Sequence, residues 1–566
     1  MRNRSIAPGI LFLIVILSIP ALIFAQQNRS ARRATGTERS ANSGQPTGKG
    51  TTTAPLIKSD LAEALSVIQS NYIDGRSLDY NAIFKSSISG MLSVLDPHST
   101  YFDPIEFASF KTEQRSQYFG IGATIEDLRE GEDVNTYIRA TFDDSPAARA
   151  GLRYGDRILA VDGQSMKGKT YPEVRKFLLG PQGTTVKVTV EHQATHQSET
   201  VNIIRDAVPL PSIAQAYMLR SGVGYIALTG GFNQTTGKEF DEALDNLHSK
   251  GMNMLVLDLR GNRGGLLIQA VHVANSFLQR GQMIVSQKGR FRNSSQAYEA
   301  DNESPDNVPL VVLVNGDTAS ASEIVAGALQ DHDRALIVGE TTFGKGLVQY
   351  PFALEYDSAL LLTIAHYYTP SGRLIQRDYS NLGSYDYYFP GGIAGNKTST
   401  TPQSGPQSHT DTGRVVYGGG GILPDELVKP GTISLAERRL RDPIFAFSLE
   451  LTSGRIPGFN NYKIQRPIEF EHDLSADDYP VNDALFNALK KYVASQPVFK
   501  TTPEQLDKSR SFAERQLRYN ILSAAYGFRV ATQVFNDADP QVLKALDAMP
   551  RARELALAAS RARARG

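Results

Sequence analysis

Between residues 207 and 430, short apolar runs alternate with stretches of helical periodicity, and this alternation constrains the fold more than any other feature of the chain. The runs at 223–228, 254–259, 310–314 and 335–338 carry too few polar residues to leave one side in water. Strands of that kind need cover on both faces, which points to an α/β layered core. Ahead of it, 118–206 is β-rich: runs at 122–125, 135–141, 157–161, 185–191 and 199–204 lie between Gly, Pro and Asp turns. Two helical pieces interrupt them near 146–150 and 171–179. Leu61, Ala64, Leu65 and Ile68 recur at helical steps, and an amphipathic run at 81–95 stops at Asp96-Pro97, so 57–117 is expected to form a small helical domain. Residues 378–412 read as a Gly/Ser/Thr/Pro-rich loop, and 431–566 as a helical region with a solvated basic tail around Arg561, Arg563 and Arg565.

Composition narrows the function classes. The 566 residues suit three or four domains at about 100–200 residues each. Lys+Arg 59 against Asp+Glu 59 leaves no global basic footprint, so no nucleic-acid partner is expected. The chain has no Cys, which removes thiolate nucleophiles, disulfide frameworks and Fe–S clusters. None of the nine His recurs at metal-ligand spacing with a carboxylate, so neither a metal nor another cofactor is expected. Arg2 and Arg4 precede an apolar stretch to Ala25, which reads as a signal peptide (1–25) or a membrane anchor, followed by a Ser/Thr/Gly/Arg-rich spacer over 26–56. The expected location is therefore periplasmic or otherwise extracytoplasmic.

The chemistry concentrates in 310–349. Ser320 falls between a strand and the first turn of a helix, where unpaired N–H groups and the helix dipole favour a developing oxyanion. Lys345 follows in the turn after the next strand, 25 residues on. Two adjacent strands would bring both side chains to one sheet edge. Ser320-Ala321-Ser322-Glu323 also fits a capping box, in which Ser320 merely starts a helix. A Ser–His–Asp arrangement through Asp331-His332-Asp333 is disfavoured, because His332 would stand roughly 18 Å from Ser320 at 1.5 Å per residue.

The whole string decides between these readings. Thr318-Ala319-Ser320-Ala321-Ser322-Glu323 and Thr342-Phe343-Gly344-Lys345-Gly346-Leu347-Val348-Gln349 resemble the nucleophile and lysine motifs of the carboxyl-terminal processing (tail-specific) proteases. Thr318 departs from the first Ser of that pattern. Leu95-Asp96-Pro97-His98-Ser99, 258–265, 367–373 and 419–425 extend the resemblance over about 57–430. It implies a Ser320–Lys345 dyad in which a lysine with lowered pKa serves as base, and an amine oriented by Gln349. Asp331 matches a position of catalytic support in some members. The oxyanion donors implied are the N–H groups of Ala321 and of Gly264, in Asp258-Leu259-Arg260-Gly261-Asn262-Arg263-Gly264-Gly265, where Arg263 stands in place of the family's common Pro.

Residues 118–206 resemble a PDZ domain of the bacterial, permuted type, through 145–152 and 155–163. Phe119-Gly120-Ile121-Gly122 matches its carboxylate-binding loop, where glycines expose N–H groups to a chain-terminal carboxylate. Arg205 is a candidate gating contact. The fold expected is thus an α/β catalytic core (207–430) of the kind the family shares with ClpP and crotonase folds, with an inserted β-rich PDZ domain and helical N- and C-terminal regions. The function expected is an exported serine endopeptidase that captures polypeptide C-termini. The reading leaves room for an activating adaptor and a homo-oligomer. A catalytically silent PDZ scaffold or chaperone, and an esterase using the same dyad, stay open as alternatives.

Overall fold

A computed structural model describes residues 53–380, 387–388, 405–465 and 467–564. The signal segment, nearly all of the spacer, most of the 378–412 loop and Arg565 lie outside the described residues. The described residues divide into two units, one holding 53–107, 349–363, 379–380 and 387–388, the other 108–348, 364–378, 405–465 and 467–564. The helical domain expected at 57–117 is therefore not built from local sequence alone.

In the first unit, α1 (Ala54–Asn71) and α2 (Tyr80–Ser93) form where the periodicity places them. Asp79 caps α2, accepting from the Ala82 N–H at 3.0 Å. None of the residues of α1 is buried. Strand β1 (Thr100–Phe102) pairs antiparallel with 359–361, Thr100 opposite Leu361. Asp96 shapes the turn before it by accepting from the N–H groups of His98 and Ser99 and from the Ser99 hydroxyl. His98 is a structural residue here: its ring meets the hydroxyls of Tyr387 and Tyr388.

The second unit begins within α3 (Pro104–Gln114), which leads into β2 (Gln117–Gly120). A β-rich domain follows: β3 (Ala123–Glu130), β4 (Asp133–Thr141), β5 (Arg157–Val161), β6 (Gln164–Ser165), β7 (Thr185–Glu191) and β8 (Ser198–Ile204) form one sheet in the order β3-β4-β5-β7-β8, with β6 on β5. Short α4 (Pro146–Arg149) and α5 (Tyr171–Leu178) pack on it. Strand β9 (Asp206–Pro209) closes the domain against β2, Gly120 opposite Asp206.

The core sheet runs β10 (Ile213–Arg220), β11 (Val223–Leu228), β12 (Met254–Asp258), β15 (Leu310–Val314), β16 (Leu336–Gly339), β21 (Glu426–Leu427). Only β10 is antiparallel to its neighbour. Period-two alternation explains why every residue of β15 is buried. Val312 and Val314 face α6 (Thr236–Ser249), α7 (Leu267–Asn275) and α8 (Ala321–Asp331). Val311 and Leu313 face Val542, Ala545, Met549 and Ala552 of the last helix, α13 (Pro540–Arg563). The basic end is thus mostly helix that covers the sheet, with Arg563 Nη1 3.8 Å from Asp411, not the frayed tail expected. The second unit also holds β13 (Met283–Gly289), β14 (Gln296–Glu299), β19 (Gln407–His409) and β20 (Val415–Tyr417), while β17 (Leu347–Ala353) and β18 (Ala359–Tyr368) span the division between the units; Tyr368 pairs with Ser286.

The remaining C-terminal helices, α9 (Leu435–Thr452), α10 (Asp483–Ser495), α11 (Pro503–Lys508) and α12 (Arg510–Ala531), surround their own apolar cluster. They also seat on the β-rich domain. Phe445 and Leu449 of α9 pack with Leu128 and Tyr137. Buried Arg139 of β4 donates to Asn520 and lies over the rings of Tyr519 and Phe445, 4.5 and 5.0 Å from their centroids.

Candidate active site

In a parallel sheet the loops at the C-terminal ends of neighbouring strands converge, and that edge is where α/β folds place ligands. Strands β12, β15 and β16 are neighbours, so the loops that follow them carry Gly264, Ser320 and Lys345 to one edge. Ser320 stands at the head of α8 with φ 57° and ψ −118°. That left-handed conformation costs a non-glycine residue of order 1–3 kcal/mol and persists only where the surroundings dictate it. Here they do. The Ala319 N–H donates to the Asn262 carbonyl at 3.0 Å, the Ser322 hydroxyl to the same oxygen at 2.8 Å, and the Thr318 hydroxyl to the Leu259 carbonyl at 2.9 Å. Thr318 keeps the hydroxyl that the family's Ser would supply.

Ser320 and Glu323 form a capping box at the head of α8, and the Glu323 N–H reaches the Ser320 carbonyl at 2.8 Å. The Glu323 carboxylate also clamps two loops. Its Oε2 accepts from the N–H groups of Ser320 at 2.8 Å and Lys345 at 2.9 Å, so a single oxygen holds both backbone nitrogens. Its Oε1 accepts from the Thr342 hydroxyl at 2.5 Å and the Gly344 N–H at 2.7 Å. Glu323 is fully buried, and that burial pushes its carboxyl up to about 7 against the pull of these four donors. The Tyr367 hydroxyl makes a second tie, directed at the carbonyls of Ser320 (3.0 Å) and Lys345 (2.6 Å). Glu323 read from sequence only as a capping residue, and Tyr367 only as part of a motif. Their role depends on contacts between separate loops of the chain, which no local pattern carries.

Some expected site residues are placed otherwise. Gly264 presses on the nucleophile: a Cβ there would lie 2.8 Å from Ser320 Cβ and from the Ala321 nitrogen. Its N–H, however, already donates to Asn262 Oδ1 at 2.9 Å, so Gly264 is not the open donor expected. Asp331 ends α8, about three turns from Ser320, where it pairs with Arg373 and accepts from Ser371. It braces the 367–373 segment and stands away from Ser320. Arg205 is buried inside its own domain, donating to the carbonyls of Leu178 and Phe177 and the Thr184 hydroxyl. It caps the C-terminal end of α5. Gln349 follows Lys345 by four residues, and its Nε2 donates to the His98 carbonyl at 2.7 Å. His332 faces Asp411 and the Met283 carbonyl. Ala321 opens α8 beside Ser320, and Phe119, Gly120, Ile121 and Gly122 turn from β2 into the edge strand β3.

Arg260 anchors the glycine loop from behind. It pairs with Asp258 at 2.6 Å and reaches Asp539 and Gln541 at the head of α13. Among the described residues no cluster of His, Asp or Glu could hold a metal ion, and no helix is long and apolar enough to cross a membrane.

Residues 222–380 match peptidase family S41, and 142–192 match the PDZ domain. A carboxy-terminal-processing protease of Bartonella bacilliformis is 38% identical over 303 residues, 53% of this chain and 68% of the relative. The chain belongs to peptidase family S41. It is a carboxy-terminal-processing serine protease with a PDZ domain and helical flanking regions. The processing protease CtpA of Bacillus subtilis is 36% identical, covering 56% of this chain and 66% of its own. Among solved structures, a photosystem II D1 C-terminal processing protease is similar at 33% identity, over 55% of this chain and 88% of that one, with a TM-score of 0.31.

Proposed function

We propose that this S41 protease is an exported endopeptidase that takes up the C-terminus of a polypeptide in its PDZ groove and cleaves nearby with Ser320 and Lys345. The observation that carries the reading is the strained Ser320, clamped beside Lys345 by one buried carboxylate and one tyrosine hydroxyl. Neutral Lys345 takes the Ser320 proton as the hydroxyl oxygen attacks the scissile carbonyl. The oxyanion forms at the head of α8, where the Ala321 N–H is one donor. With the Gly264 N–H committed to Asn262, that of Gly265 is the neighbouring amide for the second. The ammonium then returns its proton to the leaving amine, and water repeats the cycle on the acyl-enzyme. Gln349, four residues after Lys345, orients the amine in this reading. The parallel sheet with its converging loops supports a core of the ClpP/crotonase kind. Export rests on the character of residues 1–25.

Hydrolysis of a fluorogenic peptide as free acid and as C-terminal amide tests the proposal. A charge-assisted contact of about 1.5–3 kcal/mol to the terminal carboxylate predicts a roughly 10- to 150-fold slower turnover of the amide at low concentration. Equal rates refute capture of chain ends. Absence of hydrolysis by Ser320-competent protein favours the scaffold reading, and cleavage of esters alone favours the esterase.

A further inference from the structure

The PDZ loop has a cationic neighbour that its glycines do not account for. Leu179, just past α5, reaches within 3.1 Å of where a Gly120 Cβ would stand, so this end of the helix lies against the loop. Arg175 precedes Leu179 by four residues, which places it on the same face of the helix. It is half-buried, and among the described residues its guanidinium makes no hydrogen bond or ion pair within 4 Å. Such a group at a carboxylate-binding loop is suited to a bidentate carboxylate contact. Two acidic groups of the chain itself lie within range of its charge. The Tyr118 ring packs on Gly120, 3.0 Å from that same Cβ position, and its phenol feels both Arg175 and the Gly122 N–H. Glu113, near the end of α3, is half-buried, and desolvation raises its carboxyl to about 7 while Arg175 opposes the rise. A carboxyl held at that cost is readily exchanged for a better-placed one.

We propose that Arg175 is the cationic partner of a substrate's terminal carboxylate, and that Glu113 is the chain's own carboxylate competing for it. The inference rests on the PDZ groove taking chain ends. It adds the residues that decide how strongly an end is read: backbone N–H groups from the Phe119–Gly122 loop on one side, and a guanidinium from the helix on the other. Ligand arrival brings a second carboxylate into the field that Arg175 already shares with Glu113.

The test uses the full chain with Ser320→Ala to prevent turnover. The probe is a fluorescein-labelled decapeptide of Gly and Ser ending in three alanines, followed by anisotropy as free acid and as amide. Arg175→Gln is expected to weaken free-acid binding roughly 10- to 150-fold, to near the amide level. Arg175→Lys should keep part of the difference, because charge survives without the fork. Glu113→Gln should tighten free-acid binding by roughly 1.5- to 5-fold and leave the amide unchanged. Thermal midpoints of all variants are measured alongside, and Arg175→Lys serves as the folded control. If the parent binds both forms equally, the capture reading fails and takes this inference with it. If the parent discriminates and Arg175→Gln discriminates equally well, the inference alone is overturned. No change in Glu113→Gln removes Glu113 as competitor. An amidated peptide with a final Asp binding as tightly as the free acid would assign the site to side-chain carboxylates and overturn the terminal reading.

Discussion

Replacing Glu323 by Gln should disable the site while preserving its shape. The carboxylate receives four donors, two on each oxygen: the Thr342 hydroxyl and Gly344 N–H on Oε1, and the N–H groups of Ser320 and Lys345 on Oε2. Gln offers one oxygen. Whichever way the amide turns, two donors meet an NH2 group, buried and without an acceptor. At about 1–3 kcal/mol for each such donor, the rigid cost is about 2–6 kcal/mol. Part of it appears as instability, and part as separation of the two loops. If half of it is expressed in the reacting geometry, kcat falls between roughly fivefold and 150-fold, at about 1.36 kcal/mol per tenfold. The assay is peptide hydrolysis over pH 5–9 beside thermal unfolding. The pH axis adds a second readout. Burial raises the Glu323 carboxyl to about 7, so protonation near neutrality turns one acceptor into a donor and loosens the clamp from below. A raised carboxyl also works against the fold at alkaline pH: its contribution to stability is complete below the unfolded value near 4.3 and is lost as pH rises through about 7. Activity and stability of the parent should therefore move in opposite directions across that window, and Glu323→Gln should flatten the stability trend. A variant with kcat within threefold of the parent and an unchanged thermal midpoint would refute the clamp.

Further expectations follow from other contacts. Tyr367→Phe removes the hydroxyl that faces the Ser320 and Lys345 carbonyls, and at about 0.5–1.5 kcal/mol kcat should drop by roughly 2- to 12-fold with little change in KM. His332 is raised above its ordinary value; desolvation works against the rise, and the Asp411 contact and the Met283 carbonyl drive it. Its contribution is present below about pH 6.5 and lost as pH rises through the raised value, so His332→Ala should lower the thermal midpoint more at pH 5.5 than at pH 8.5. Phe445→Ala empties the seat between α9 and the PDZ sheet; about 3–5 kcal/mol of packing is at stake, read by thermal unfolding and by faster proteolytic nicking of the PDZ domain.

The core was legible because its signals are local. A fully apolar β15 and the Ser320 and Lys345 turns follow one another within a single short stretch of sequence, and neighbouring parallel strands do the rest. What the sequence hid depends on distant partners. The α13 helix that covers the second face of the sheet arrives only at the far end of the chain, long after β16. The first unit borrows 349–363 from the middle of the chain. Arg205 read as a candidate gating contact, yet its guanidinium turns inward to cap α5. Gly264 matched the motif in position, but which N–H of a glycine turn stays open depends on the Asn262 side chain, and spacing says nothing of its rotamer.

The most direct test of the Ser320–Lys345 site is to locate a fluorophosphonate adduct by tandem mass spectrometry in the parent and in Lys345→Ala. The adduct should fall on Ser320, and labelling should drop by at least two orders of magnitude when Lys345 is removed, with the fold intact by thermal unfolding. A label on another serine, or one that forms on Ser320 at the same rate without Lys345, would contradict the dyad.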